Sequence, residues 1–209
     1  MALIRTERGL DRLVNFSDAT VAIAITLLIL PLVDDATKIG TESFGQFFSA
    51  NFWELFAFGI SFAVIARFWV VHHRIFESVA QYSVSMLWFN FIWLFAIVMI
   101  PFTANLLSNG RGERADVYAL YIGNMLLATV ATLLIGVVLL RHPELMTDTA
   151  RADVDKTRGI AEVTIMALAL VLAVLFPAIW MYWLFLLFLS GPSHALLRRA
   201  AYGPSQKTG

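Results

Sequence analysis

The chain reads as an all-α polytopic membrane protein with six transmembrane helices, and three observations point there. Of its 209 residues, 59% are hydrophobic and only 14% are Asp, Glu, Lys or Arg, against roughly 25% in a soluble domain. The apolar residues gather in long runs separated by short charged stretches. The basic residues crowd into alternate connections, as the positive-inside rule requires of an even number of crossings. Together these exclude a disordered chain, a disulfide scaffold and a soluble enzyme. The chain has no Cys, hence no disulfide, thiolate nucleophile or cysteine metal site. Fifteen basic and fifteen acidic residues cancel, so there is no basic field for nucleic acid.

The first apolar run is Leu13 to Val33. About twenty residues rising 1.5 Å each cross the hydrocarbon of a bilayer once. Pro31 lies near its end, and Asp34 and Asp35 stop it. The polar stretch before it is no signal-peptide core, so this run is expected to be retained. The second run is Phe47 to Val71, with Glu54 and Arg67 inside it and His72, His73 and Arg74 at its end. The third runs from near Val79 to Leu107, with Asn90 internal and Pro101 expected to break it; the fourth runs from Val117 to Leu140. The polar link from Arg141 to Arg158 alternates Arg with Asp and suggests a short surface helix or structured turn.

The last run, Ile160 to Leu189, is too long for one ordinary helix and short for two. It reads either as one kinked, tilted helix or as two short helices meeting near Phe176-Pro177. Charge placement favours two. Arg5, Arg8 and Arg12 precede the first run, Arg67 and Arg74 close the second, and Arg141, Arg151, Lys156 and Arg158 follow the fourth. Arg198, Arg199 and Lys207 follow the last, and only Lys38, Arg111 and Arg114 fall on the other side. Six crossings with both termini cytoplasmic satisfy this distribution. Residues 1–195 then form one membrane domain, and 196–209 a cytoplasmic tail expected to be disordered. Trp180, Tyr182 and Trp183 fit an outer aromatic belt, and Trp88 and Trp93 fit helix packing.

The first run carries the most chemistry. Arg12, Asn15, Ser17 and Asp18 stand at its start. An acid inside a span is costly unless paired or wet, and so marks a functional or packing site. Arg⁺ or His⁺ near Asp18 would offset its desolvation. Farther along, Ile23, Leu27 and Leu30 are spaced to form one stripe, beside Thr26. One apolar stripe is ordinarily packing. A ring of such stripes around an axis would be a constriction that gates by dewetting, and the spacing leaves both readings open.

The segment RLVNFSDATVAIAITLLIL, with Arg12, Phe16, Ser17 and Asp18, resembles the signature of the TMEM175-type potassium channel family. Trp69, His72, His73 and Phe76 in the second run, and Asn90, Pro101, Phe102 and Thr103 in the third, are similar to the family's later motifs. The resemblance implies a bacterial member with one six-helix unit, acting as a passive, modestly potassium-selective channel. It implies a homotetramer in the inner membrane, with the first helix of each subunit lining the pore. It places the constriction at Ile23, extended by Leu27 and Leu30, and a bearing on selectivity at Thr26. Arg12, Phe16, Ser17 and Asp18 would anchor the pore helix through Trp69, His72, His73 and Asn90, with the choice of histidine open. The TVGYG loop of ordinary potassium channels is absent from the chain. The expected partners are potassium ions, the bilayer and further copies of the chain, with no cofactor and no metal beyond potassium passing through.

Rival readings are weaker. No glycine-rich phosphate loop, GxSxG or HExxH motif is present, so no enzyme is expected. A secondary transporter would call for inverted repeats or an acid cluster at mid-membrane, and neither is evident. A non-conducting structural membrane protein is the other alternative. Glu162 is expected to open the fifth span, and Arg67 to reach the inner interface.

Overall fold

The computed structural model describes residues 3–4, 7–36, 43–109, 114–151 and 158–176. The expected outer belt at Trp180, Tyr182 and Trp183, the sixth crossing and the tail all lie outside these residues. The first apolar run gives two helices, α1 (Glu7–Leu27) and α2 (Leu30–Ala36). Together they make one apolar stretch long enough to cross a membrane, Arg8–Ala36. The single uninterrupted helix expected there is interrupted, and Pro31 supplies the reason. Proline has no N–H for the Leu27 carbonyl four residues back, and its ring crowds that carbonyl. The amides of Leu28 and Ile29 reach three residues back, to Ile25 O at 3.3 Å and Thr26 O at 3.4 Å. The regular pitch resumes with Val33 N donating to Ile29 O at 3.1 Å.

A short helix, α3 (Phe44–Ala50), follows, started by a capping box between Ser43 and Gln46. The Ser43 hydroxyl accepts from Gln46 N, and the Gln46 side chain accepts from Ser43 N at 2.8 Å, satisfying amides that a first turn leaves open. Next comes α4 (Phe52–Glu77), with Glu54 in its first turn and Arg74 in its last, each sign placed to suit the helix dipole. After a turn, α5 (Val84–Asn109) runs straight through Pro101, so the expected break there does not occur. α6 (Ala115–Arg141) is followed by a 3₁₀ turn (Pro143–Leu145), α7 (Asp148–Arg151) and α8 (Arg158–Leu175). The described part of the link after α6 thus holds a turn and a short helix, and residues 152–157 lie outside the described residues.

The fold is an all-α polytopic membrane protein with several apolar membrane-spanning helices. Among the described residues, α1 with α2, α4, α5 and α6 are each long and apolar enough to cross, and Glu162–Leu175 is a shorter apolar stretch. One small pair of strands departs from all-helix. β1 (Leu3–Ile4) pairs antiparallel with β2 (Tyr82–Ser83). The third run therefore begins helically at Val84, because Val79 to Ser83 are drawn into this turn and into a bridge with Met146.

α5 is the central helix, packed on α1, α4 and α6, while α8 packs chiefly on α6. The larger core joins Val21 and Ala24 of α1, Leu28 just past its end, Val64 and Ile65 of α4, Trp93, Ile97 and Ile100 of α5, and Tyr121 and Met125 of α6. A second core lies at the end where α1 begins: Leu13, Phe76, Val79, Tyr82, Met86, Leu139, Leu145 and Met146. There, the amides of Ala80 and Gln81 donate to Leu145 O, and Thr147 N donates to Ser78 O. The chain's start, the α4–α5 turn and the link after α6 therefore share one end of the bundle. Among the apolar faces left uncovered in the single subunit, two adjoin the helices that meet at Asn90. One is the outer side of α1. The other is a run on α5, comprising Val84, Trp88, Phe91, Phe95, Val98 and Phe102. Trp88 thus stands outside the subunit's own packing, whereas Trp93 is fully buried, as expected.

Candidate functional site

Three polar residues from three helices meet among apolar side chains. Ser17 of α1, His72 of α4 and Asn90 of α5 are all buried. Asn90 Oδ1 lies 2.7 Å from His72 Nε2, and Asn90 Nδ2 donates to Ser17 Oγ at 2.9 Å. The Ser17 hydroxyl donates in turn to Leu13 O, one turn back in α1, at 2.9 Å. An amide oxygen only accepts, so His72 Nε2 must carry the proton and donate. The result is a one-directional chain: His72 to Asn90, Asn90 to Ser17, Ser17 to the α1 backbone. Every member has a partner, as a buried polar group requires. The His72 ring is held between Trp93, with centroids 4.0 Å apart, and Phe76, at 4.3 Å, both nearly parallel to it.

A second contact fixes the rotation of α1. The indole N–H of Trp69 donates to Asp18 Oδ1 at 2.8 Å. Asp18, which the sequence leaves to a choice among nearby cations and polar groups, therefore takes an aromatic N–H donor. Neither histidine is its hydrogen-bond partner. His73 stacks on Trp69 with centroids 5.2 Å apart and meets Glu77 at 3.3 Å, one turn on. Arg12 lies on the exposed side of α1. Phe16 is exposed too and meets Phe91 of α5 edge-on, at 6.3 Å between centroids.

These contacts all draw on one side of α1. Leu13, Ser17, Val21 and Ala24 are buried against the subunit, as is Leu28 just past the helix end. On the other side Ile23 and Leu27 remain 60% and 40% exposed, and Leu30, the first residue of α2, is 50% exposed. Thr26 is exposed beside them, and its hydroxyl donates to Ile23 O at 2.8 Å. With its proton committed to the helix, that hydroxyl has only lone pairs left to offer, the polarity a cation needs. At the next level Pro31 cannot donate to the Leu27 carbonyl. The outer side of α1 thus combines large apolar side chains with oxygen, and it carries no fixed charge between Ile23 and Leu30.

The sequence model of the family described as "Endosomal/lysosomal potassium channel TMEM175" matches residues 12–101. The match takes in Arg12, the Phe-Ser-Asp segment, Trp69, both histidines and Asn90. Over this segment the chain is homologous to bacterial TMEM175-family potassium channels. A potassium channel of Chamaesiphon minutus is 39% identical over 99 residues, 46% of this chain and 48% of its own length. A potassium channel of Streptomyces collinus is 31% identical over 121 residues, 57% of this chain and 58% of its own. The chain thus spans about half the length of the relatives it matches in sequence. The crystal structure of a lysosomal potassium-selective channel TMEM175 homolog from Chamaesiphon minutus superposes with a TM-score of 0.71. That superposition is at 23% identity and covers 90% of this chain and 98% of the other, which shows a common fold. The TMEM175 match ends at Pro101, so it says nothing of α6 and α8.

Sequence reasoning missed three polar contacts inside the bundle. Ser61 Oγ meets Tyr121 OH at 3.0 Å, and Asn124 Nδ2 donates to Ala96 O at 2.8 Å. Arg67 Nη2 stands 3.7 Å from Glu162 Oε1. The signal was present, since each is a polar residue inside an apolar run, but nothing local in the sequence pairs them.

Proposed function

We propose that this protein is a passive, modestly potassium-selective channel of a bacterial inner membrane. It assembles as a homotetramer in which α1 of each subunit lines the pore. The single observation that carries the reading is the two-sidedness of α1. One side is bonded and packed into its own subunit, and the other presents Ile23 and Leu27 outward, with Leu30 of α2 exposed just past the break. Four such faces around one axis make rings of branched apolar side chains, narrowest at Ile23, where a closed pore excludes water. Thr26 and the carbonyl released by Pro31 offset part of an ion's lost hydration, which favours the ion that dehydrates more readily. Ser17, Asp18, Trp69, His72 and Asn90 hold α1 in that pose; Arg12, Phe16 and His73 border the same network. Homology to a channel family supports a conduction role without a catalytic step. Six crossings, with residues 1–195 as the membrane unit and both ends cytoplasmic, complete the proposal.

Reconstituted liposomes test it. Potassium flux should follow its own gradient with no second ion or substrate; a coupled transporter would need one, and a structural protein would give no flux. Ile23→Asn should raise conductance and lower the preference for potassium over sodium. Unchanged values for both would remove Ile23 from the constriction.

A further inference from the structure

Arg8 and Arg12 are exposed, and the side of α1 they occupy follows from residues farther along the same helix. α1 runs unbroken from Glu7 to Leu27, so each residue's direction is set by its spacing, about 100° per residue. Arg12 precedes Ile23 by eleven residues and Arg8 precedes Thr26 by eighteen. That spacing turns Arg12 to within about 20° of Ile23 and brings Arg8 into line with Thr26. Asn15 and Ala19, between them, are exposed as well, while Leu13, Ser17 and Val21 on the opposite side are buried. A helix that points Ile23 and Thr26 at a common axis therefore points both arginines there too. Arg12 lies about 16 Å before Ile23 along the helix, and Arg8 about 27 Å before Thr26. Resting on the pore reading above, we infer that Arg8 and Arg12 of the assembled subunits form a cationic ring at the mouth where α1 begins. The ring thins out cations at that mouth, excludes divalent cations more strongly than potassium, and makes the flow that enters there smaller than the flow that leaves.

The charges at this end of α1 are sorted by side. Glu7 and Asp11 each precede an arginine by one residue, a turn of about 100°, so their positions fall off the line that leads to Ile23 and Thr26. Asp18, the next acid along the helix, accepts from Trp69 of its own subunit. Among the described residues neither Arg8 nor Arg12 has an ion-pair or hydrogen-bond partner. The positive-inside rule accounts for arginines at this end, but it counts charges whatever direction they face and does not account for their side. A ring of positive charge repels a cation in proportion to its valence, so the factor by which it thins potassium is squared for a divalent ion. Because the mouth is open to water, salt screens the ring, and its effect fades as ionic strength rises.

Single-channel recordings of the reconstituted full chain test this. In symmetric potassium at about 0.1 M, where charges act over roughly 10 Å, flow entering by this mouth should be several-fold smaller than flow leaving by it. At about 1 M, where they act over roughly 3 Å, the two should approach each other. Arg8→Gln with Arg12→Gln should remove the asymmetry at the lower salt and strengthen block by magnesium added at this mouth. Arg8→Lys with Arg12→Lys should keep the unmodified behaviour. An asymmetry or magnesium block that neutralisation leaves unchanged, or an asymmetry lost equally in the lysine variant, would overturn the ring. The chain has no Cys, so Arg12→Cys can be modified after assembly, when folding is no longer at stake. A thiosulfonate carrying an ethylammonium group should restore the asymmetry, and one carrying an ethylsulfonate should reverse it; equal effects from both would overturn the ring. A bismaleimide should cross-link Arg12→Cys between subunits. Current without cross-links, or cross-links without a charge effect, would overturn the ring and leave the pore standing. Absence of any current would remove the pore, and the ring with it.

Discussion

Asn90 is where α1, α4 and α5 are joined by hydrogen bonds, accepting from His72 and donating to Ser17. Bonds between helices inside a membrane contribute on the order of 0.5–2 kcal/mol each. Asn90→Leu leaves the His72 N–H and the Ser17 oxygen unanswered and should destabilise the protein by about 1–4 kcal/mol. Ser17→Ala, which removes one of the two bonds, should cost about half as much; thermal melts of the purified variants compare them. At Asp18 the donor is an indole, so Trp69→Phe and Asp18→Ala should be strongly coupled. Asp18→Asn keeps an acceptor for Trp69 and should be milder than Asp18→Ala, and an equal loss would mean that the 2.8 Å contact does nothing. The sequence marks each of these residues by its polarity within an apolar run. It does not say that Asp18 meets Trp69 and not a histidine. That choice rests on the rotation of α1 against α4, which turns on which apolar side chains pack between them.

Two prolines inside apolar runs behave differently, and their neighbours explain why. Pro101 stands in the helix that touches α1, α4 and α6, with Ile100 and Ala104 buried beside it. Packing on several sides holds the turns in place, and packing by neighbouring helices is what allows proline within a membrane helix. Pro31 follows a segment with one bare side, where Ile29 and Leu30 are exposed, and there the helix parts. Pro31→Ala restores the missing donor and should join α1 to α2. Amide hydrogen exchange at Leu28 to Leu32 should then slow, and an unchanged rate would mean that proline is not the cause of the break. The positions of both prolines are plain in the sequence. Their opposite effects come from packing that the helices acquire only together.

Charge and connectivity agree over the molecule as a whole. The chain's start, the α4–α5 turn and the link after α6 meet at one end through β1–β2, the Val79–Met146 bridge and the bonds to Leu145 O. These are the connections rich in arginine, so the proposed orientation puts that end in the cytoplasm. The absence of cysteine makes the orientation testable without background. Arg74→Cys and Glu144→Cys should be blocked by an impermeant thiol reagent only when the inner surface is open to it, and Phe44→Cys from outside intact cells. The reverse pattern would invert the topology. The uncovered faces of α1 and α5 belong to the same level of organisation. A homotetramer would cover the α1 face, so purified protein should run as four copies in native mass spectrometry, and a monomer would refute the proposed pore.

The number and placement of the apolar runs, the end that gathers arginine, and the polar residues set within those runs are all properties of short stretches. Hydropathy and charge act residue by residue, so the sequence alone was enough to establish a polytopic helical protein and to single out α1. The hydrogen-bond partners of Asp18 and Asn90, the meeting of Arg67 with Glu162, the parting at Pro31 and the strand pair at the chain's start depend on how one helix is rotated and set in depth against another. Those two quantities are sums over many weak apolar contacts far apart in sequence, so they are settled only when the helices pack.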